Sequence, residues 1–369
     1  MRGIWALGLI ILGAGALPSC QTATKSSTDI SIKPIVIAHR GASGELPEHT
    51  LEAYERAIEQ GADFIEPDLV MTKDGVLVAR HDPWLSDSTD IAEHPEFADR
   101  KTTLTDPSGR ELSDWFVWDF TADEIATLRA TQTRPGRDQS YNGQFAIPTF
   151  KSVLALAGRA NRDKNPGQTS SLVGVYPELK WPSHHRARGL EIGDAALSVL
   201  SEAMSLKDVP EIGCVDEPCV FVEEDAGLVP EVDATCFPNC VFRVRIQSFE
   251  DGILRELDAK TDFKLVQLVS PVDAAGTPSY ELNDIATYAD GVGPFKSLVM
   301  DLSTGVSTGY AERAVALGLE VHPWTFRDDD IAPGFDSPEA EINAILDAGA
   351  TGFFTDFPAT GRSIADASD

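Results

Sequence analysis

Basic residues are scarce in this sequence. Its 369 residues include 30 Lys and Arg against 59 Asp and Glu, and the formal net charge is −29. A protein with this charge is repelled by nucleic acid and by anionic membrane surfaces, so we expect neither as its main partner. An anionic substrate would need a binding site that is locally positive despite this negative net charge.

The apolar run near the start of the sequence is short. Residues 4–17 follow a single Arg and end in small residues, a pattern too short for a comfortable membrane span and typical of a secretory signal. We therefore predict a lipoprotein-type signal peptide at 1–19, a lipid on Cys20 despite the unusual Pro18, and a polar tether at 20–31. This lipid would be the protein's only membrane attachment, in the periplasm or cell envelope. Ordinary cleavage to a soluble periplasmic protein is the alternative.

Strand and helix patterns alternate through the rest of the chain. Eight short apolar strands, the first at 35–39 and the last at 351–356, are nearly all separated by helical patterns. This alternation predicts an α/β protein with a (β/α)8 TIM barrel, which we assign to residues 32–362.

Two stretches do not fit a minimal barrel. Residues 83–147 follow the second strand and should lie over the C-terminal rim, with the run DWFVWDF (114–120) as their packed anchor. Residues 206–239 lie between a helix and the next strand, so we place them on the opposite face. The four cysteines in this stretch and directly after it favour two disulfides in an oxidising compartment, and a structural zinc site is the alternative. These cysteines are Cys214, Cys219, Cys236 and Cys240.

Polar side chains follow the ends of the predicted strands, where such barrels place their chemistry. Glu66 and Asp68 are two residues apart, as are Glu178 and Lys180, so each pair shares one face of its strand. The other candidates at strand ends are His39, Arg40, Gln247, His322, Trp324 and Asp356.

A turn at residues 73–75 predicts a β-hairpin after the second strand. Folding back around this Lys-Asp-Gly turn places His81 opposite Glu66 to within about one residue. A second histidine would then lie beside the carboxylates. The alternative is that His81 and Asp82 only form a solvated strand end.

The predicted carboxylate cluster favours a hard divalent cation. Glu66, Asp68 and Glu178 offer only oxygen ligands, which suit Ca²⁺ or Mg²⁺ and not zinc. With such a cation bound, and with Arg40 and Lys180 nearby, the site would carry one net positive charge. That charge matches a phosphodiester monoanion, and neighbouring histidines would supply an acid and a base near neutral pH.

Several segments resemble, in order, the glycerophosphodiester phosphodiesterase family in its periplasmic form. They include IAHRGASGELPEHT, GADFIEPDLVMTKDGVLVARHD, GVYPELK, VHPWTF and GFFTDFP, and the similarity extends from about residue 34 to 358. The resemblance implies an irregular TIM barrel, one divalent cation with Ca²⁺ favoured over Mg²⁺, and hydrolysis of deacylated phospholipids to glycerol 3-phosphate and an alcohol. The cysteine-bearing insertion departs from the family pattern.

The resemblance also implies roles for individual residues. His49 stands where many members carry Asn, and Trp324 would pack over the glycerol carbons unless it is only a rim aromatic. Which histidine is the acid and which the base stays open. By motif, the catalytic histidines are His39 and His81, the metal ligands are Glu66, Asp68 and Glu178, and the phosphate-binding cations are Arg40 and Lys180.

Two other functions stay open at this point. One is a lysophospholipase D-like phosphodiesterase for intact lipids, which a wide apolar trough beside the site would favour. The other is a surface lipoprotein that uses the barrel only as a binding scaffold. Among the weaker candidates, we expect adjacent His184 and His185 to be merely exposed, and Asp356 to hold a neighbouring cation or cap a turn.

Overall fold

Strand β1 (Ile35–His39) is buried along most of its length, as its unbroken apolar run predicts. It pairs in parallel with the second strand of the chain on one side and with the last strand on the other. The computed structural model describes residues 33–105, 109–162, 172–204 and 242–368.

Strands and helices alternate through these described residues. The further strands are β2 (Phe64–Glu66), β3 (Asp68–Met71), β4 (Leu77–Ala79), β5 (Thr102–Thr105), β6 (Glu111–Asp114), β7 (Gly174–Val175), β8 (Glu178–Leu179), β9 (Arg245–Ser248), β10 (Lys264–Val269), β11 (Gly291–Pro294), β12 (Glu320–Val321) and β13 (Gly352–Thr355). The α-helices are α1 (Leu51–Glu59), α2 (Ala122–Ala126), α3 (Phe150–Asn161), α4 (Pro182–Arg186), α5 (Ile192–Met204), α6 (Asp251–Asp258), α7 (Leu282–Ile285), α8 (Lys296–Val299), α9 (Tyr310–Ala316), α10 (Pro338–Asp347) and α11 (Pro358–Ala367).

The parallel strands form the eight strands of the predicted barrel. Each barrel strand, counted in chain order, is called a stave below, because two of them consist of two short β-strands. Two staves are broken: Pro67 separates β2 from β3, and Pro177 lies between β7 and β8. Because proline has no N–H to donate to a strand ladder, each residue interrupts the strand that the sequence predicted as continuous. The halves still pair in parallel, β2 with β7 and β3 with β8.

Hydrogen bonds between the chain after β12 and strand β13 close the ring. The Phe354 N–H donates to the Pro323 carbonyl at 3.0 Å, and the Phe326 N–H donates to the Phe354 carbonyl at 2.8 Å. Since β13 also pairs with β1, the first and last strands of the barrel are neighbours. The predicted (β/α)8 fold is therefore present.

The barrel interior is layered. Ile37 lies two residues before His39, and Phe64 two residues before Glu66, so each apolar residue shares a strand face with a polar one. The buried apolar layer contains Ile37, Phe64, Tyr176, Val266 and Phe354. This apolar layer lies beneath the polar residues at the C-terminal ends of the strands.

The rim insertion has a hydrophobic core of its own. Trp115, Phe116, Val117, Trp118 and Phe120 are all buried, and they pack in a cluster that also includes residues of the β3–β4 hairpin. The DWFVWDF run is thus the packed anchor that the sequence predicted.

Other sequence predictions concern residues outside the described part. They are the signal peptide at 1–19, the tether at 20–31 with the lipid on Cys20, and the disulfides of the insertion at 206–239. In the described residues, none of the helices has the length and apolar character that a membrane span requires.

Candidate active site

Three buried carboxylates meet where the second and third staves are broken by proline. Glu66 ends β2, Asp68 begins β3 and Glu178 begins β8, with Asp68 directly opposite Glu178 in the parallel ladder. One oxygen from each residue lies within 4.8 Å of the others. The sequence prediction that these carboxylates converge is correct.

The carboxylates do not readily carry three negative charges together. Burial, Asp68 and Glu178 raise the pKa of Glu66 well above its ordinary range, while burial raises the pKa of Glu178 to about 8 even though Lys180 opposes this. Burial also disfavours the Asp68 carboxylate, but Lys180, His49 and Arg40 hold its pKa well below the usual value.

This donor set fits a hard divalent cation. All three side chains offer carboxylate oxygens, and the buried Asp68 Oδ1 accepts no hydrogen bond from the described residues. An unsatisfied buried oxygen is costly unless a ligand compensates it. A divalent cation would satisfy this atom and relieve the repulsion among the carboxylates.

Arg40 faces the carboxylates with both its backbone and its side chain. Its N–H donates to Glu66 Oε2 at 2.9 Å, its Nη1 donates to Glu48 Oε2 at 2.9 Å, and its Nε lies 3.5 Å from Asp68 Oδ2. Arg40 has φ 62°, a left-handed conformation that costs a non-glycine residue on the order of 1 kcal/mol. The next residue, Gly41, continues this sharp turn at φ 86° without that cost.

Lys180 supplies the second positive charge of the site. Its Nζ lies 2.9 Å from Glu178 Oε1, and its side chain is buried. Trp181, which follows Lys180, also has a positive φ, at 51°. Strained backbone thus lies next to both cations, as is common at functional sites.

His39 is held in one orientation by Asp356. Its Nδ1 lies 2.6 Å from Asp356 Oδ1, while Asp356 Oδ2 accepts from Arg137 Nη2 at 2.6 Å and from Arg327 Nε at 2.7 Å. The carboxylate fixes the proton on Nδ1 and leaves Nε2 available to the pocket. Burial and the Arg40 charge lower the pKa of His39 to about 4, against the influence of Asp356, so the ring is neutral at pH 7.

His81 reaches the same pocket by the predicted hairpin. In the antiparallel pairing of β3 with β4, Leu69 lies opposite Ala79, and the same register places His81 opposite Pro67, one residue from Glu66. His81 Nδ1 lies 2.6 Å from Asp82 Oδ2. Each candidate catalytic histidine therefore has a carboxylate on its Nδ1.

His49 positions the carboxylate of Asp68. It is fully buried, its Nε2 donates to Asp68 Oδ2 at 3.0 Å, and its Nδ1 accepts from the Tyr54 hydroxyl at a heavy-atom distance of 2.8 Å. Its backbone φ of 56° is the third positive value for a non-glycine residue in the described part. The sequence analysis noted His49 only as a variation on the family's usual Asn, and in the structure its ring orients the Asp68 carboxylate.

The pocket in which these residues meet, the candidate catalytic pocket, has a volume of about 320 Å³ and two unlike walls. Its apolar wall includes Trp324, which packs edge-on against Phe249 and Phe295 and donates from Nε1 to the Gly293 carbonyl at 2.8 Å. This volume suits a small molecule better than a wide lipid trough. Its polar wall contains His39, Arg40, Glu66, His81, Glu178, Lys180 and Gln247.

Some candidates from the sequence do not reach the pocket. His322 is buried below it, where its Nδ1 lies 3.0 Å from the Tyr176 hydroxyl. His185, expected to be exposed, is fully buried. Two backbone hydrogen bonds satisfy its ring there: Nε2 accepts from the Met71 N–H at 2.9 Å, and Nδ1 donates to the Trp181 carbonyl at 3.1 Å.

The fold and the site together define a barrel phosphodiesterase: a pocket at the strand ends holds a carboxylate cluster, two histidines and two fixed cations. The model of the glycerophosphoryl diester phosphodiesterase family matches residues 39–183 and 221–360. The chain belongs to this family. The enzyme class expected from the sequence, a glycerophosphodiester phosphodiesterase, is thereby confirmed.

Individual proteins agree with this assignment along most of the chain. A glycerophosphodiester phosphodiesterase of Arabidopsis thaliana is 35% identical over 354 residues, which cover 92% of this chain and 88% of that protein. One from Haemophilus influenzae is 32% identical and covers 96% of each. A phosphodiesterase from Oleispira antarctica, solved with the product sn-glycerol-3-phosphate, shares the fold with a TM-score of 0.58 at 19% identity, covering 91% of this chain and 98% of that one.

Proposed function

We propose that the protein hydrolyses glycerophosphodiesters to sn-glycerol 3-phosphate and an alcohol with the help of a divalent cation held by Glu66, Asp68 and Glu178. The observation that carries the proposal is the meeting of these three buried oxygen donors, one of them unsatisfied, beside a pocket with two fixed cations. The all-oxygen ligand set suits both Ca²⁺ and Mg²⁺; the family resemblance favours Ca²⁺, and Mg²⁺ is the alternative.

Arg40 and Lys180 bind the phosphate in this proposal. Both line the pocket, and both are held by carboxylates, Glu48 for Arg40 and Glu178 for Lys180. They neutralise charge on the phosphoryl oxygens, and the cation adds Lewis-acid polarisation of those oxygens when it is bound.

His39 and His81 act as the acid and base. Both line the pocket, and Asp356 and Asp82 hold their Nδ1 atoms, so each ring presents Nε2 to the substrate. One Nε2 removes a proton from the attacking oxygen, and the other, once protonated, donates to the leaving alcohol. Trp324 packs against the glycerol carbons on the apolar wall.

Chelation and a matched pair of variants test the metal. We expect EDTA to abolish turnover of a panel of glycerophosphodiesters, and Ca²⁺ or Mg²⁺ to restore it. Glu178→Gln should be inactive because it removes a metal ligand, whereas Glu55→Gln, which neutralises an exposed residue of α1, should behave like the wild type. Full turnover in excess chelator would contradict the proposed metal site.

We further propose export of the protein and anchoring by a lipid on Cys20. The apolar run at 4–17 and the lipobox-like residues before Cys20 support this. Mass spectrometry of the native protein should find the first 19 residues removed and a lipid on the new N-terminus. A mature N-terminus without a lipid would favour the soluble periplasmic alternative.

A further inference from the structure

A second, smaller pocket adjoins the catalytic pocket. It has a volume of about 270 Å³, and Arg40 and His81 line both pockets, so these two residues stand at the boundary between them. A phosphodiester whose phosphate is bound at this boundary must direct its two ester substituents into different spaces. The smaller pocket therefore has the right position for one half of the substrate.

The smaller pocket is acidic although it lies next to a phosphate-binding site. Glu48, Asp82 and Asp87 line it, and among its lining residues in the described part of the chain Arg40 alone carries a guanidinium. The Arg80 guanidinium lies behind the lining, where it donates to the backbone carbonyls of Glu48 and Ser88. Glu48 is 5% exposed and uses only its Oε2, which accepts from Arg40 and, at 3.3 Å, from the Thr133 hydroxyl. The charged residues that line this space, three carboxylates and one guanidinium, leave it with a net negative charge.

An aromatic ring completes this acidic pocket. The Trp84 Nε1 donates to Asp87 Oδ2 at 2.7 Å, and the indole packs edge-on against Trp181 at 5.6 Å between ring centroids. These two contacts fix the ring beside the carboxylates. A fixed indole next to carboxylates is a favourable environment for an organic ammonium group, because the ring face and the carboxylates both attract positive charge.

We propose that this pocket binds the alcohol half of the substrate and selects cationic amino-alcohols, such as choline or ethanolamine, over neutral alcohols. The inference rests on the proposed function, because it assumes a phosphodiester bound between Arg40 and His81. The neutral glycerol half then lies against the apolar wall that contains Trp324. His81, which lines both pockets, is the histidine beside the leaving alcohol.

Steady-state kinetics on four substrates test the selection. Glycerophosphocholine and glycerophosphoethanolamine carry cationic head groups, whereas glycerophosphoglycerol and glycerophosphoinositol do not. For the wild type we expect kcat/KM to be about tenfold higher for the cationic pair, the combined scale of one exposed charge interaction and one cation–π contact. Asp87→Asn should reduce kcat/KM for the cationic pair about threefold to fivefold and change the values for the neutral pair less than twofold.

A matched variant and an inhibition measurement complete the test. Asp123→Asn removes one negative charge from an exposed position of the same insertion and should keep the wild-type preference. Free choline should inhibit the wild type competitively at concentrations where ethylene glycol does not, a result that requires no variant to fold.

The possible failures are distinguishable. An equal loss for all four substrates in Asp87→Asn would show that the pocket holds the invariant glycerol half, and it would overturn the inference while leaving the proposed function intact. Turnover of all four substrates by the wild type without preference would also overturn the inference and leave the proposed function intact. Failure of the metal-loaded wild type to hydrolyse any of the four would overturn the proposed function and the inference together.

Discussion

Lowering the pH from 7.5 to 5.0 should reduce the free energy of unfolding by about 2 kcal/mol less in His185→Gln than in the wild type. His185 lies in helix α4, buried against strand β3, and both ring nitrogens have backbone partners: Nδ1 donates to the Trp181 carbonyl, and Nε2 accepts from the Met71 N–H. A second proton would have to sit on Nε2, where it would face the Met71 N–H. The folded protein therefore requires the neutral ring.

The magnitude follows from the pKa. Burial lowers the pKa of His185 from 6.5 to about 4, although the hydrogen bond to the Trp181 carbonyl opposes this. Because the folded state binds the proton more weakly than the unfolded state, the contribution to stability is complete above pH 6.5 and is lost as the pH falls towards 4. At pH 5 the loss from this one residue is about 2 kcal/mol.

Urea unfolding at pH 7.5 and pH 5.0, followed by tryptophan fluorescence, measures this loss. His185→Gln lowers stability at pH 7.5, but its decrease between the two pH values should be smaller than that of the wild type by about 2 kcal/mol. Val315→Ala, which changes an exposed and non-titrating residue of α9, should keep the wild-type decrease. An unchanged decrease in His185→Gln would refute the assignment of acid sensitivity to this ring.

Three further predictions concern catalysis and the cysteines. His39→Ala and His81→Ala should each reduce kcat by on the order of 10²-fold or more, and the double variant should lose much less than the product; near-normal turnover of His81→Ala would exclude the two-histidine mechanism. Asp356→Asn should reduce kcat by a similar factor with little change in KM, because His39 loses its orienting carboxylate; an unchanged kcat and pH profile would contradict that role. Reduction of the disulfides predicted at 206–239 should lower thermal stability without changing the turnover of folded enzyme, and stoichiometric zinc in the purified protein would favour the metal alternative.

Local patterns were sufficient to predict much of the site. The two-residue spacing of Glu66 and Asp68 placed them on one face, and the turn at 73–75 set a register that the β3–β4 pairing confirms. The broken staves were not foreseen, although Pro67 lies inside the predicted strand and a proline within a strand argues against continuous pairing.

The contacts that sequence analysis missed act over long sequence separations. Asp356 holds neighbouring cations, as the sequence predicted, but its contact with His39 was not predicted. The two residues are 317 positions apart, and they meet because the last strand of a closed barrel lies beside the first. Strand order would have suggested this pair, but no local pattern pointed to Arg137, which reaches Asp356 from the rim insertion. His185 was misjudged because its burial depends on a backbone N–H of another strand, that of Met71.

The cluster around Asp356 has a consequence for how the enzyme becomes active during folding. Its members come from the first stave (His39), the rim insertion (Arg137), the loop after the seventh stave (Arg327) and the end of the eighth (Asp356). The chain must therefore be synthesised and folded almost to its last helix before the imidazole of His39, the proposed acid or base, is oriented. A nascent or truncated chain without the eighth stave would be catalytically silent, so the appearance of activity during refolding would report the completion of the barrel.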